Sequence, residues 1–161
     1  MKKKQSVGDL PTIRGARIAI VQSKWHSSYV ERMVKKCVDL LQHVNVNDID
    51  IHVLPGCLEL PLAAQRVIRR DRSLEAVIAF GAIIKGDTYH FEMVMQGCIR
   101  GLTQVMLDED VPIIVEVLPV ADVQQLEERC GDDQYNKGIE AAAAAAEIIH
   151  WRRENCLRGS R

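Results

Sequence analysis

Four short β-type segments alternate along the chain with segments of helical periodicity. Because a parallel strand can reach its neighbour only through a crossover, this alternation favours an α/β fold built on a parallel sheet. The strand segments are Arg17–Val21, Asp48–Leu54, Ala76–Phe80 and Val111–Leu118. Five helical segments are expected. The first begins at Ser27 or Ser28, one of which we expect to be its cap. The others are Glu59–Arg70, a segment that begins close to His90, Asp122–Cys130 and a last helix from Lys137 to about Asn155.

The segment Ala76–Phe80 is continuously apolar, which is typical of a parallel strand covered on both faces. A helical stripe from Val94 to Met106 follows it, so helices are expected on both faces of the sheet. The sequence therefore predicts a flavodoxin-like three-layer α/β/α sandwich with a four-stranded parallel sheet. No G-x-G-x-x-G follows the first strand, so the fingerprint of a dinucleotide fold is missing.

The turn between that strand and that helix carries the most informative chemistry in the chain. Gly86 allows close approach of a ligand to the backbone, and Thr88 can cap the helix start, where phosphate is a natural guest. Asp87 stands where a nucleotide-binding P-loop needs its Lys, so ATP or GTP binding is not expected. His90, in the first helical turn, is a catalytic candidate, although a surface or packing role is the commoner one for such a residue.

Four other residues are candidates, each with an ordinary structural alternative. Trp25 follows the first strand and either anchors its loop or stacks on a flat heterocycle. Glu59 either complements a helix dipole or binds hydroxyl groups from a half-buried wall. Arg129 and Lys137 either complement helix ends or, for Arg129, clamp a phosphate.

Size and composition favour one domain and argue against several classes of function. The chain has 161 residues, of which 47% are hydrophobic, and a net charge of -1, which argues against a general nucleic-acid binder. We expect a flexible arm over residues 1–15, a single domain over 16–156 and a tail over 157–161. No segment has the character of a signal peptide or membrane span, so a cytoplasmic protein is expected. The five cysteines and five histidines form no ligand pattern, so no metal is predicted and most cysteines should be buried hydrophobes.

Four ordered blocks of the chain resemble lumazine synthases, the enzymes that form 6,7-dimethyl-8-ribityllumazine in riboflavin biosynthesis. GAIIKGDTYHF, from Gly81 to Phe91, is similar to the family's G-x-x-I-x-G-[ED]-T-x-H-[FY]. Ser23-Lys24-Trp25-His26 resembles its first loop, and Leu54 to Pro61 resembles V-P-G-[AS]-[FY]-E-[IL]-P. Glu128-Arg129-Cys130-Gly131 with Asn136-Lys137-Gly138 is similar to E-R-A-G…N-K-G. The likeness spans Arg17 to about Ile149.

The resemblance implies condensation of 5-amino-6-(D-ribitylamino)uracil with 3,4-dihydroxy-2-butanone 4-phosphate, without a cofactor. It implies that Trp25 stacks on the pyrimidinedione, Glu59 binds ribityl hydroxyls and His90 transfers protons. The phosphate would be held by Gly86, Asp87, Thr88 and a neighbouring subunit's Arg129, with Lys137 as a further contact from that subunit. The other residues implied in substrate binding are Gly56, Cys57, Leu58, Gly81, Ala82, Ile83, Lys85 and Val115.

The resemblance also implies a homo-oligomer, a pentamer or a 60-subunit capsid of twelve pentamers, with riboflavin synthase as a further partner. The chain departs from the family pattern at Leu58 and Val115, where aromatic residues are usual, and at Glu116–Val120, which lacks G-[VI]-[LV]-T-[TV]. Two alternatives therefore stay open: a weakly active or non-catalytic member that binds a flavin or lumazine, and a member that only forms a shell.

Overall fold

The computed structural model describes residues 7–156, which form a parallel four-stranded sheet between two helical layers. This confirms the predicted three-layer α/β/α fold. A short 3-10 helix precedes the first strand (Val7–Asp9) and another precedes the second helix (Cys57–Glu59). The regular elements are β1 (Arg17–Ser23), α1 (Ser27–His43), β2 (Asp48–Leu54), α2 (Leu60–Arg70), β3 (Ala76–Ile84), α3 (His90–Glu109), β4 (Ile113–Val120), α4 (Val123–Cys130) and α5 (Lys137–Cys156).

The strands are ordered β2-β1-β3-β4, and each pairs with its neighbour in parallel. The two inner strands, β1 and β3, are almost entirely buried. For β3 this is the burial that the continuous apolar run Ala76–Phe80 predicts. Since β1 and β3 are neighbours, the loops that follow them leave the same edge of the sheet side by side. The chain order of the strands changes direction at this pair, which is where open α/β sheets bind ligands.

Two separate hydrophobic cores flank the sheet. One contains buried residues of α1, α4 and α5, including four small side chains that let α5 approach closely: Ala141, Ala142, Ala145 and Ala146. The other contains buried residues of α2 and α3. The four cysteines whose side chains are described, Cys37, Cys57, Cys98 and Cys130, are buried and unbridged, as expected, while the side chain of Cys156 lies outside the description.

Several element boundaries differ from the sequence predictions. β1 continues to Ser23 rather than ending at Val21, and β4 ends at Val120 rather than Leu118. α2 and α4 each begin one residue later than predicted, at Leu60 and Val123. β3 continues to Ile84 rather than ending at Phe80, because its last four residues pair with Val117–Val120 of β4. β4 begins at Ile113 rather than Val111. α1 is not capped by Ser27 or Ser28: its N-cap is His26, in the left-handed conformation (φ 58°) and without a side-chain capping bond.

The N-terminal arm is held to the domain close to β1. Ile13 is fully buried, and its backbone N–H donates to the Val44 carbonyl at 3.2 Å. The remaining parts of the predicted arm and tail, residues 1–6 and 157–161, lie outside the described residues.

Candidate active site

A cavity of about 270 Å³ lies where the carboxyl ends of β1 and β3 meet. It brings together residues from the loop after β1, the 3-10 helix before α2, the end of β3 and the start of α3. Five of the residues predicted from sequence therefore share one space: Trp25, Cys57, Ala82, Ile83 and His90. The full lining is Trp25, His26, Cys57, Ala82, Ile83, Ile84, His90 and Val94.

Trp25 presents its indole ring at the mouth of this cavity. Trp25 is 70% exposed. The backbone next to it is nevertheless held in position, because the N–H of Lys24 donates to the Leu54 carbonyl of β2 at 2.8 Å. A large exposed aromatic on an anchored loop is available to stack on a planar ligand.

Gly56 and Glu59 form the side of the site next to Trp25. A Cβ atom at Gly56 would lie 3.1 Å from Glu59 Oε2 and 3.6 Å from Trp25 Cδ1. Glycine therefore allows the carboxylate and the indole edge to sit on either side of one backbone position. Glu59 is exposed at the junction of the 3-10 helix and α2, where its oxygens can accept hydrogen bonds from hydroxyl groups.

Cys57, Gly81 and Ser23 form the floor beneath the cavity. A Cβ at Gly81 would lie 2.7 Å from Cys57 Sγ and 3.2 Å from Ser23 Oγ, so this packing requires glycine. Burial raises the pKa of the Cys57 thiol, and the nearby Ser23 side chain and Ala82 backbone offset part of that rise. The thiol therefore stays protonated at neutral pH and serves as an apolar wall rather than a nucleophile.

The turn from Lys85 to Tyr89 leads from β3 into α3 and is exposed throughout. Lys85 N–H donates to the Val120 carbonyl at 2.9 Å, which fixes the start of the turn. A Cβ at Gly86 would meet nothing within 4 Å, so the space in front of its backbone is open. The helix N-cap is Tyr89 rather than Thr88, but the Thr88 hydroxyl still accepts the His90 N–H at 3.4 Å. His90 is thus the first residue of a 20-residue helix whose N-terminus faces an open turn.

Leu58 stands in the position where the resemblance leads one to expect an aromatic side chain. It is half-exposed, and its Cδ2 atom would lie 3.0 Å from a Cβ built at Gly97 of α3. Leu58 therefore packs on the helix that carries His90. It does not line the cavity in the single chain.

Gly56, Glu59, Gly81 and the turn residues from Lys85 to Thr88 are neighbours of the lining residues but do not line the cavity themselves. Val115, Arg129 and Lys137 also lie outside its lining in the single chain. Val115 pairs with Ala79 on β3, three residues before Ala82, which is about 10 Å along the strand. Arg129 is partly buried on α4 and donates to the Gln125 carbonyl at 2.9 Å. Lys137, the first residue of α5, is paired with Glu140 at 2.5 Å.

The structure adds His26, Ile84 and Val94 to the residues named from sequence. His26 follows Trp25 and reaches the cavity through its left-handed backbone (φ 58°, ψ 37°), a conformation that the sequence did not reveal. In the sequence, Ile84 and Val94 are apolar residues close to the turn from Lys85 to Tyr89. Their lining role depends on β3 continuing four residues further than the apolar pattern indicated.

A second cavity, of about 330 Å³, lies at the opposite end of the sheet, near the start of β4. Its two arginines are already paired, Arg152 with Asp110 at 3.0 Å and Arg153 with Glu75 at 2.6 Å. Across residues 7–156, no group of three His, Cys, Asp or Glu side chains is arranged to hold a metal ion. No helix in that range has the length and apolar character needed to cross a bilayer.

Comparison with known proteins gives a family match over most of the chain. The profile of the family described as 6,7-dimethyl-8-ribityllumazine synthase matches residues 15–153. A 6,7-dimethyl-8-ribityllumazine synthase from Halorhodospira halophila is 38% identical over 149 residues, covering 91% of this chain and 95% of the relative. Among solved structures, a GDP-L-fucose synthetase from Naegleria fowleri aligns with a TM-score of 0.44 and 14% identity. That alignment covers 97% of this chain but only half of the other protein.

Proposed function

The chain belongs to the 6,7-dimethyl-8-ribityllumazine synthase family, and we propose that it condenses 5-amino-6-(D-ribitylamino)uracil with 3,4-dihydroxy-2-butanone 4-phosphate. The products are 6,7-dimethyl-8-ribityllumazine, phosphate and water. One observation carries the proposal: an exposed indole and a histidine line the same cavity at the carboxyl ends of two adjacent parallel strands. This arrangement supplies a stacking surface and a proton carrier within one site.

Trp25 and Glu59 account for binding of the uracil substrate. The pyrimidinedione ring stacks on the indole, and the ribityl chain runs past Gly56 to the Glu59 carboxylate, which accepts hydrogen bonds from its hydroxyl groups. Cys57, Ala82 and Ile83 form the apolar wall behind the ring. This leaves the amine of the substrate free to act as the nucleophile.

The phosphate of the second substrate binds at the turn formed by Gly86, Asp87 and Thr88, in front of the N-terminus of α3. The substrate amine attacks the ketone, and loss of water gives an imine. Removal of a proton next to the imine then expels phosphate, and ring closure with loss of a second water completes the pyrazine ring. In this proposal His90, which lines the cavity, carries these protons, a task that typically contributes roughly 10²–10⁴-fold. Holding the two substrates in register can contribute about 7–11 kcal/mol in favourable cases.

Arg129 and Lys137 enter this scheme only through a second subunit. Neither residue lines the cavity of its own chain, yet both match the family motif that supplies phosphate contacts. The proposed enzyme is therefore at least a pentamer, in which each site is completed by an adjacent chain. We also propose that twelve such pentamers form a capsid and that the assembly associates with riboflavin synthase. Sedimentation of a fully active monomer would contradict the shared site.

A cytoplasmic location is part of the proposal. The four cysteines whose side chains are described are free thiols, a state that a reducing compartment maintains. Non-reducing mass analysis of protein from cell extract should find them reduced.

A flavin- or lumazine-binding role without turnover is the second candidate. It is favoured by Leu58, which stands in place of an aromatic residue and does not reach the cavity. Absorbance-monitored incubation with both substrates separates the two functions. The proposed enzyme forms the lumazine chromophore together with one phosphate per product. Protein that is isolated yellow and forms no chromophore would support the binding role instead.

A further inference from the structure

Helix α3 carries two glycines about one turn apart where it passes the segment that contains Glu59. An added Cβ at Gly97 would lie 3.0 Å from Leu58 Cδ2, and one at Gly101 would lie 2.7 Å from Pro61 Cγ and 2.8 Å from Pro61 Cβ. The Leu58 atom is the tip of a rotatable, half-exposed side chain, whereas the Pro61 atoms belong to a ring that is bonded to its own backbone. Glycine at position 101 is therefore required for Pro61 to rest directly on α3.

The position of Pro61 is transmitted to Glu59 through a continuous helical backbone. Pro61 lies in the first turn of α2, and Glu59 is the last residue of the 3-10 helix that leads into it. Glu59 (φ -84°, ψ -14°) and Leu60 (φ -59°, ψ -43°) both have right-handed helical angles, so the two helices form one uninterrupted unit. The Glu59 side chain makes no capping hydrogen bond to α2, so its backbone decides where the carboxylate lies. A displacement of Pro61 therefore moves this carboxylate.

The indole on the other side of Gly56 is held by different elements. Trp25 follows β1, and the N–H of Lys24 next to it donates to the Leu54 carbonyl of β2. A Cβ at Gly56 would lie 3.1 Å from Glu59 Oε2 and 3.6 Å from Trp25 Cδ1, so the two groups are close neighbours. Their spacing thus depends on the contact of Pro61 with α3 as well as on the sheet.

We infer that Gly101 is a positioning residue that sets the distance between the Glu59 carboxylate and the Trp25 ring, and thereby the binding of the ribityl chain. Alanine at this position would push Pro61 away by about 1 Å before the carbon atoms reach ordinary van der Waals separation. A shift of that size moves an acceptor out of hydrogen-bonding range of a hydroxyl group, which is about 2.5–3.0 Å. His90 is eleven residues before Gly101, about 16 Å along the axis of α3, so the phosphate turn beside it keeps its place. The inference rests on the proposed function, in which Glu59 binds the ribityl chain.

Equilibrium binding of 6,7-dimethyl-8-ribityllumazine to the assembled protein tests this inference. A fluorescence titration gives both the Kd and the number of sites per chain. Gly101→Ala is the variant. Gly97→Ala is the matched control, because it makes the same substitution in the same helix but its Cβ would meet only the movable tip of Leu58. Steady-state kinetics with each substrate varied in turn supply a second measurement.

Gly101→Ala should raise the Kd for the lumazine by about tenfold or more, as expected when a charged acceptor loses a hydroxyl partner. The number of sites per chain should stay that of the parent. The KM for the uracil should rise by a similar factor, while the KM for the butanone phosphate should stay within about twofold. Gly97→Ala should remain within about twofold of the parent in all of these quantities. A purely structural defect would lower the number of sites and leave the Kd and both KM values unchanged.

The double variant Pro61→Gly/Gly101→Ala checks that the effect comes from this one contact. Removing the proline ring leaves room for the new methyl group, so the double variant should bind lumazine within about threefold of Pro61→Gly alone, and more tightly than Gly101→Ala. If Gly101→Ala by itself fails to assemble, the double variant should still assemble and bind. A double variant that fails in the same way would contradict the inference.

Two further results would overturn the inference: a Kd for Gly101→Ala within about twofold of the parent, or equal rises in the KM values of both substrates. A parent protein that neither binds nor forms lumazine would instead refute the proposed function.

Discussion

Replacing Gly138 with Ala should disrupt the contact that holds α5 against α1. A Cβ at this position would lie 1.9 Å from the Met33 carbonyl oxygen, 2.7 Å from its carbonyl carbon and 3.0 Å from Asn136 Oδ1. The two Met33 atoms belong to the backbone of α1, so no side-chain rotation can relieve the clash. Ordinary van der Waals separation requires the start of α5 to move away by more than an ångström.

The expected cost of Gly138→Ala follows from three effects. Overpacking typically costs about 1–3 kcal/mol, and a backbone clash belongs at the upper end of that range. Displacing α5 also strains the hydrogen bond from Gly138 N–H to the fully buried Asn136, a contribution of about 1 kcal/mol. The higher helix propensity of alanine offsets about 1 kcal/mol. The net effect is a loss of about 2–3 kcal/mol in the free energy of unfolding.

Urea unfolding followed by far-ultraviolet circular dichroism measures this loss, with all proteins at one concentration because assembly contributes to stability. Gly97→Ala is the matched control, since it also lies inside a helix but its Cβ would meet only the flexible tip of Leu58 at 3.0 Å. We expect the control to change stability by less than about 1 kcal/mol. Gly138→Ala within about 0.5 kcal/mol of the parent would refute this account of the α1–α5 contact.

Three further predictions concern the site and the ion pairs of Glu109 with Arg69 and Arg72. His90→Asn should preserve assembly and lumazine binding while lowering turnover by about tenfold or more, short of about 10⁴-fold; turnover equal to the parent would assign the proton to water or substrate. Arg129→Ala should raise the KM for the butanone phosphate more than that for the uracil, and Glu59→Ala the reverse; equal changes in both would contradict the assignments. Burial raises the pKa of Glu109, but its two arginine partners outweigh that effect and hold the pKa below its ordinary value. Its ionised form therefore stabilises the fold at neutral pH, and this stabilisation is lost as the pH falls through the lowered pKa. Glu109→Gln should lower the thermal midpoint at pH 7 and approach the parent in acid, and a pH-independent difference would count against this pairing.

Local sequence patterns determined the elements because their causes act over a few residues. The alternating run from Asp48 to Leu54 became β2 with the predicted bounds, and the segment beginning at Lys137 became α5. Trp25, Glu59 and His90 could also be named as candidate site residues from the sequence. The capacity to stack, to accept hydrogen bonds from hydroxyl groups or to transfer protons depends on the type of side chain, which the sequence gives directly. Repeated strand–helix alternation was sufficient to predict a parallel sheet with helices on both faces.

The tertiary structure decided what depends on pairing between distant segments. β3 extends past Gly81 to Ile84 because β4 supplies hydrogen-bonding partners for its backbone, which no local pattern encodes. The convergence of Trp25 and His90 follows from the adjacency of β1 and β3, a choice of strand order. Glu116 appeared in the sequence only as part of a departure from a family pattern, and burial in the folded chain raises the pKa of its carboxyl group to about 7. The burial of a side chain and the electrostatic field around it come from groups that are far apart in the chain. They are therefore set by the folded structure and cannot be read from a local sequence pattern.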